Sequence, residues 1–97
     1  MPKEKLKNFL DESGRLKSFP AKRKMKLYAL LYLSGKIDSR RAYTEREIGE
    51  LLREWHLFDD PATLRRELCD YGFLLRSRDG RTYSMNEEQP TEDRLGL

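Results

Sequence analysis

Between Thr44 and Met85 the chain lays out a helix, a short break, a second helix and a hairpin, back to back. Glu47 follows Thr44 by three residues, the spacing of a capping box in which each side chain satisfies a free N–H at the helix start. Ile48, Leu51, Leu52 and Trp55 then recur at helical spacing and predict a buried stripe. The break His56–Asp60 closes on Asp59 or Asp60 as the cap of the second helix, with Pro61 at its first position, where a missing N–H costs nothing. Leu64, Leu68 and Tyr71 predict its inward face and Gly72 its end. Phe73, Leu74 and Leu75 enter a strand, Asp79-Gly80 is read as a two-residue turn, and Thr82, Tyr83 and Met85 return.

Upstream of this segment the pattern is helical but less punctuated. Leu6, Phe9 and Leu10 give Lys5–Glu12 the spacing of a short amphipathic helix, stopped by Ser13-Gly14. Gly14–Pro20 reads as an extended connector or a short strand. Ala21–Ser34, with Ser18 as candidate cap and Pro20 in the first turn, is apolar around most of its circumference, as a central helix must be, and Gly35 ends it. Ile37 and Tyr43 are expected to point inward from the connector between them. Residues 86–97 hold Pro90 and few apolar side chains and read as a flexible acidic tail.

The expected organisation is a single domain over residues 1–85, followed by the tail. Residues 1–13 form its N-terminal helix, a candidate dimer contact. The expected fold class is mostly α (α+β), a winged helix-turn-helix of three to four helices plus a two-stranded β-hairpin wing.

Ninety-seven residues bury a modest core, so stability is limited unless copies pair. Charge is unevenly spread. Residues 1–26 carry nine basic against three acidic side chains, residues 27–85 ten of each, and residues 86–97 four acidic against one basic. A basic front suits an anionic partner. One cysteine excludes an internal disulfide, and one histidine leaves little material for a zinc site. The longest apolar run, Leu27–Leu33, is too short to span a bilayer, and no signal peptide is evident, so a cytoplasmic protein is expected.

Three groups of side chains are candidates for nucleic-acid binding. With its apolar face inward, the second helix of the pair turns Thr63, Arg66, Glu67 and Asp70 outward, with Arg65 at the boundary. Near a helix N-terminus threonine and arginine donate to base edges and phosphates. The acids on this face and at Asp59 and Asp60 repel phosphates. The alternative is a solvated face with Arg66 paired to Asp70 at i,i+4. Arg76, Arg78 and Arg81 crowd the hairpin. Across a two-residue turn Arg78 and Arg81 face each other, an unfavourable arrangement that an anion relieves. Lys22, Arg23, Lys24 and Lys26 stand at the positive end of the central helix, where folding alone prefers acids, and Arg40 and Arg41 add a smaller basic pair.

Catalysis finds little support. His56 is alone in the break and reads as a turn or packing residue, and Cys69 lacks a histidine or cysteine partner. The glycines stand singly, so there is no phosphate loop. No enzyme activity, cofactor or metal is expected.

The strings Tyr43-Thr-Glu-Arg-Glu-Ile-Gly-Glu-Leu-Leu, Asp60-Pro-Ala-Thr-Leu-Arg-Arg-Glu-Leu-Cys-Asp-Tyr-Gly-Phe-Leu-Leu-Arg and Asp79-Gly-Arg-Thr-Tyr resemble an uncharacterised bacterial domain family. Phe19-Pro-Ala-Lys-Arg-Lys-Met-Lys-Leu matches the family's lysine-rich helix start, and the resemblance covers roughly residues 14–85. It implies a domain found alone or attached to bacterial winged-helix regulators. Leu57-Phe58 departs from the family's more polar break, extending the core or offering a contact.

The expected function is therefore a small bacterial double-stranded-DNA-binding protein, a transcription regulator by analogy. The competing class is a protein-protein interaction module, marked by an exposed apolar patch around Leu57, Phe58, Leu6, Phe9 and Leu10. A homodimer is a candidate assembly in either case, and no membrane partner is expected.

Overall fold

The computed structural model describes residues 2–97. Five helices and three strands follow in the order α1 (Pro2–Lys5), α2 (Arg23–Ser34), β1 (Tyr43–Thr44), α3 (Glu45–Arg53), α4 (Pro61–Asp70), β2 (Leu74–Arg76), β3 (Thr82–Met85) and α5 (Glu92–Leu95). The class is α+β, as expected, with more elements than the sequence pattern suggested. The strands form one antiparallel sheet in the order β1-β3-β2, so the expected two-stranded hairpin gains a third strand. Its third strand comes from the connector before α3, where Tyr43 pairs with Tyr83 and Thr44 with Thr82.

Local chemistry sets the helix boundaries between Thr44 and Gly72. The Thr44 hydroxyl accepts the Glu47 N–H at 3.1 Å, and the Glu47 carboxylate accepts the Thr44 N–H at 2.8 Å, completing the capping box of α3. Asp60 caps α4 by accepting the Thr63 N–H at 3.2 Å, with Pro61 next to it. Gly72 takes φ +84°, a left-handed conformation that side-chain-bearing residues rarely adopt, and turns the chain from α4 into β2.

α2 is the central helix. Leu27, Tyr28, Ala29 and Leu30 are four consecutive buried residues, so it is covered on every side over that turn, and Leu33 continues the core. Ile48 and Leu52 from α3, Leu64 and Leu68 from α4, and Phe73, Leu74 and Tyr83 from the hairpin pack around it. Leu51, Trp55 and Tyr71, expected inward, are partly buried at the edge of this core.

Three expectations are corrected. α2 begins at Arg23 rather than Ala21 and has no side-chain cap; Ser18 and Pro20 lie in the preceding segment, where Phe19 stacks on Phe58 at 6.3 Å. Gly35 ends α2 as expected, at φ −66°. The helix over Lys5–Glu12 does not form: α1 stops at Lys5, and Leu10 instead bridges to Leu16. Backbone pairing there is more favourable than a helix because Gly14, at φ +81°, reverses the chain, and its carbonyl accepts the Tyr32 hydroxyl at 2.8 Å. Leu6 is fully buried, and Phe9 and Leu10 are partly buried against the same core.

The third correction concerns the acidic tail. Asn86 and Gln89 donate from their side chains to the Gly72 and Phe73 carbonyls, α5 is capped by Thr91, and Leu95 is only 8% exposed in the core. Low average hydropathy had hidden one well-placed leucine. Among the described residues no helix is long and apolar enough to cross a membrane.

Several of these turns and caps are built on carboxylates. Asp60 is held below its ordinary pKa of 3.8 by the hydrogen bonds from Thr63, and Glu47 below 4.5 by the Thr44 N–H and then Arg41. The Arg15 and Ser13 N–H groups do the same for Asp11, and Ser77 and the Arg81 N–H for Asp79. A depressed carboxylate pKa adds stability above the unfolded-state value and loses it as pH falls through the folded one. Thermal melts followed by circular dichroism should therefore show a midpoint nearly level from neutrality to about pH 5, then falling below about pH 4. A midpoint that rises below pH 4 contradicts the assignment.

Candidate nucleic-acid interface

At 100° per residue, α4 buries Leu64 and Leu68 and turns Ala62, Arg66 and Asp70 onto the opposite crest. Arg66 is exposed and forms no ion pair among the described residues, so the expected alternative pairing with Asp70 at i,i+4 is not made. Thr63 is half-buried beside the crest, its N–H taken by Asp60. Arg65 turns away toward the sheet. Its side chain is 18% exposed, 3.7 Å from Glu45, with the guanidinium 5.5 Å from the centre of the Tyr83 ring.

The other side of α4 faces α2. Lys26 donates to Glu67 at 3.0 Å, an ion pair with both partners mostly covered, which fixes α2 against α4. Lys22, four residues earlier, shares the face of Lys26 and is exposed, as is Lys24. Arg23 is engaged elsewhere, with both terminal nitrogens 3.4 Å from the Leu95 carbonyl at the end of α5. Arg40 pairs with Asp38 at 3.1 Å, and Arg41 with Glu47 at 2.9 Å while lying over the Tyr43 ring. These three cations serve the fold around them.

The hairpin tip differs from its expected form. Arg76 pairs with Tyr83, but the Gly80 N–H returns to the Ser77 carbonyl and the Ser77 N–H to Thr82, so Arg78–Arg81 form a four-residue loop. Arg78 and Arg81 are therefore loop residues and not a facing pair on the ladder, and the repulsion expected between them does not apply. The loop is held by Asp79, which accepts the Ser77 hydroxyl at 2.6 Å and the Arg81 N–H at 3.0 Å. Gly80 at φ +73° leaves room for the Arg76 guanidinium, whose Nε donates to the Gly80 carbonyl at 3.3 Å. Arg78 and Arg81 are exposed and without ion pairs among the described residues.

Of the twelve candidates, five cations have no side-chain partner among the described residues: Lys22, Lys24, Arg66, Arg78 and Arg81. They lie on the crest of α4, on the α2 side of it and at the hairpin loop. Arg65, Arg66 and Arg76 also converge on a cleft of about 320 Å³ between α4 and the hairpin, which Tyr83, Cys69, Glu45 and Asp70 complete. Sequence reading missed this cleft. Its signal was there in part: Arg65 and Cys69 share a face at i,i+4, but the register that sets Arg76 against Tyr83 is tertiary. Burial raises the Cys69 thiol above its usual pKa, which keeps it protonated rather than nucleophilic.

His56 is buried in the break between α3 and α4. Its Nδ1 lies 2.6 Å from the Leu52 carbonyl and its Nε2 accepts the Asp60 N–H at 2.9 Å, which assigns the hydrogen to Nδ1. Phe58 packs on this ring and on Phe19, so it extends the core, while Leu57 is exposed. The apolar patch expected for an interaction module is thus mostly buried; Leu57 and Leu75 are the large hydrophobics left exposed among the described residues.

Neither a curated protein nor a solved structure matches the chain. Residues 15–85, from the Leu16 segment through the end of β3, match a family described as an uncharacterised protein conserved in bacteria (DUF2087). That span holds α2, the α3–α4 pair and the whole sheet, and the chain belongs to this bacterial family.

Proposed function

We propose that the chain is a small bacterial protein that binds double-stranded DNA, with α4 directed at the major groove and the hairpin at the flanking backbone. The order α2-β1-α3-α4-β2-β3, with β1 added beside β3, is read as a winged helix-turn-helix. The observation that carries the function is Arg66, free on the crest of α4, with Arg78 and Arg81 at the hairpin and Lys22 and Lys24 on the α2 side. Arg66 and Thr63 approach base edges, and the other cations hold phosphates. Such a protein acts in the bacterial cytoplasm, and transcription regulation is the role that fits it.

Titration of a labelled random-sequence duplex at two salt concentrations tests the reading. Binding in the roughly micromolar range that weakens steeply with salt is expected. Replacing Arg78 and Arg81 by glutamine should lower the salt slope by about two and the affinity by about tenfold or more. Unchanged affinity in that double variant, or no binding at low salt, overturns it. One observation favours a protein partner instead: Asp70 shares the crest with Arg66 and repels phosphate. Retained protein capture with no duplex binding would mark that alternative.

A further inference from the structure

The cleft between α4 and the hairpin gathers more positive charge than the fold uses. The Arg65 and Arg76 guanidiniums lie 5.5 and 5.8 Å from the centre of one Tyr83 ring, which is 3% exposed and forms a fixed apolar floor. Arg66 adds a third cation from the crest. Protein acceptors for this group are few. Gly80 takes only the Nε of Arg76, and Glu45 stands 3.7 Å from Arg65 with its own side chain 63% exposed. The terminal nitrogens of Arg66 and Arg76 make no hydrogen bond to protein among the described residues. Asp70, on the rim, forms no ion pair among them either.

Three arginines line the cleft against two carboxylates, Glu45 and Asp70, and only Arg65 has one of them within ion-pair distance, so Arg66 and Arg76 keep N–H donors for an entering anion. Guanidinium groups present planar forks of N–H donors, and an acceptor with several oxygens pointing in different directions can engage more than one fork. A phosphate group does this; a planar carboxylate offers fewer directions. At about 30 Å³ of liquid volume per water, the cleft has room for a phosphate group together with several waters.

We propose that this cleft is a seat for a single phosphate group, gripped by Arg66 and Arg76 from its two walls with Arg65 behind them. The seat deepens the DNA reading where the phosphate belongs to a duplex backbone, and is independent of it where the phosphate is free. In this arrangement Arg65 acts in the cleft rather than in the groove, and Arg66 links the two.

The test uses the full chain, isotope-labelled, with the arginine Nε–H signals and the Cys69 and Tyr83 amides followed by NMR. Inorganic phosphate is added at constant ionic strength, then in a separate titration the random-sequence duplex. Saturable shifts at Arg65, Arg66, Arg76 and Tyr83, absent at Arg40, are expected, with those at Arg65 and Tyr83 lost in the R66Q/R76Q variant. The same variant should bind the duplex about tenfold or more weakly, with a melting temperature close to that of the parent because both side chains are exposed. Shifts spread evenly over all arginines without saturation, or a variant that binds phosphate as the parent does, overturn the seat. If phosphate seats and the duplex does not bind, the cleft stands with free phosphate as its source and the DNA reading falls. If the duplex binds the parent and the variant alike, the cleft is no part of the duplex contact and the DNA reading stands on the hairpin loop and α2; the seat then stands if the inorganic phosphate shifts saturate and falls if they do not.

Discussion

Replacing Phe73 by alanine is expected to destabilise the protein by about 3–5 kcal/mol, the cost of emptying a large buried aromatic site. Phe73 is fully buried and heads the turn from α4 into β2. Its backbone is independently held: its N–H donates to Leu68 at 2.8 Å, and its carbonyl accepts the Asn86 N–H and the Gln89 side chain. Alanine keeps those bonds, so the site cannot collapse freely and the cavity persists. A domain of this size has about 5–15 kcal/mol of stability to lose, so the variant should be folded but close to its limit. Urea unfolding should show the midpoint falling with an unchanged slope, and Phe73→Leu should recover most of the loss. A loss below about 1 kcal/mol in Phe73→Ala would mean that the ring is not in the core.

The second large effect is expected at His56. The imidazole spans from the Leu52 carbonyl in the last turn of α3 to the N–H of Asp60, the cap of α4, and so sets the spacing between the two helices. Its surroundings leave no substitute. The break on either side of it is tied to the Leu16 segment, with Leu16 donating to Trp55 and Leu57 donating to Leu16. Alanine leaves the part-buried Asp60 N–H without its acceptor, while the Leu52 carbonyl keeps the Trp55 N–H at 3.0 Å, so the net loss is expected at about 1–3 kcal/mol. Glutamine, whose carbonyl can accept the Asp60 N–H, should restore part of it. Nitrogen chemical shifts of the ring should report hydrogen on Nδ1 in the parent. Hydrogen on Nε2, or wild-type stability for His56→Ala, would remove the ring from this role.

The α3–α4 segment was legible because its information is local. A capping box, an Asp-Pro start and apolar residues at i, i+3 and i+4 act over a few residues, and each appears in the structure where the sequence puts it. The third strand was not, because two residues carry no alternation and the pairing of Tyr43 with Tyr83 spans the whole α3–α4 unit. Lys5–Glu12 shows the reverse error: Leu6, Phe9 and Leu10 have helical spacing, but the reversal at Gly14 brings Leu16 beside Leu10 and the backbone pairs instead. Among the candidate cations, sequence found the set and not its division. Nothing near Arg23 announces a carbonyl at Leu95, and nothing near Lys26 announces Glu67. Such pairings decide which charges remain available, and they form only once the chain is folded.

The bounds of the family and the bounds of the folded body do not coincide. The shared segment ends at Met85 and begins at Arg15, yet Leu6 and Leu95 enter its core from outside those limits. The inherited unit thus has two open sockets, one beside α2 and one where Arg23 meets the end of α5. Grafted alone into another polypeptide, residues 15–85 would carry those sockets unfilled. A host can accept the segment only if its own flanking residues supply a stopper for each, so the ends are free to differ in sequence while remaining bound by the same geometric demand.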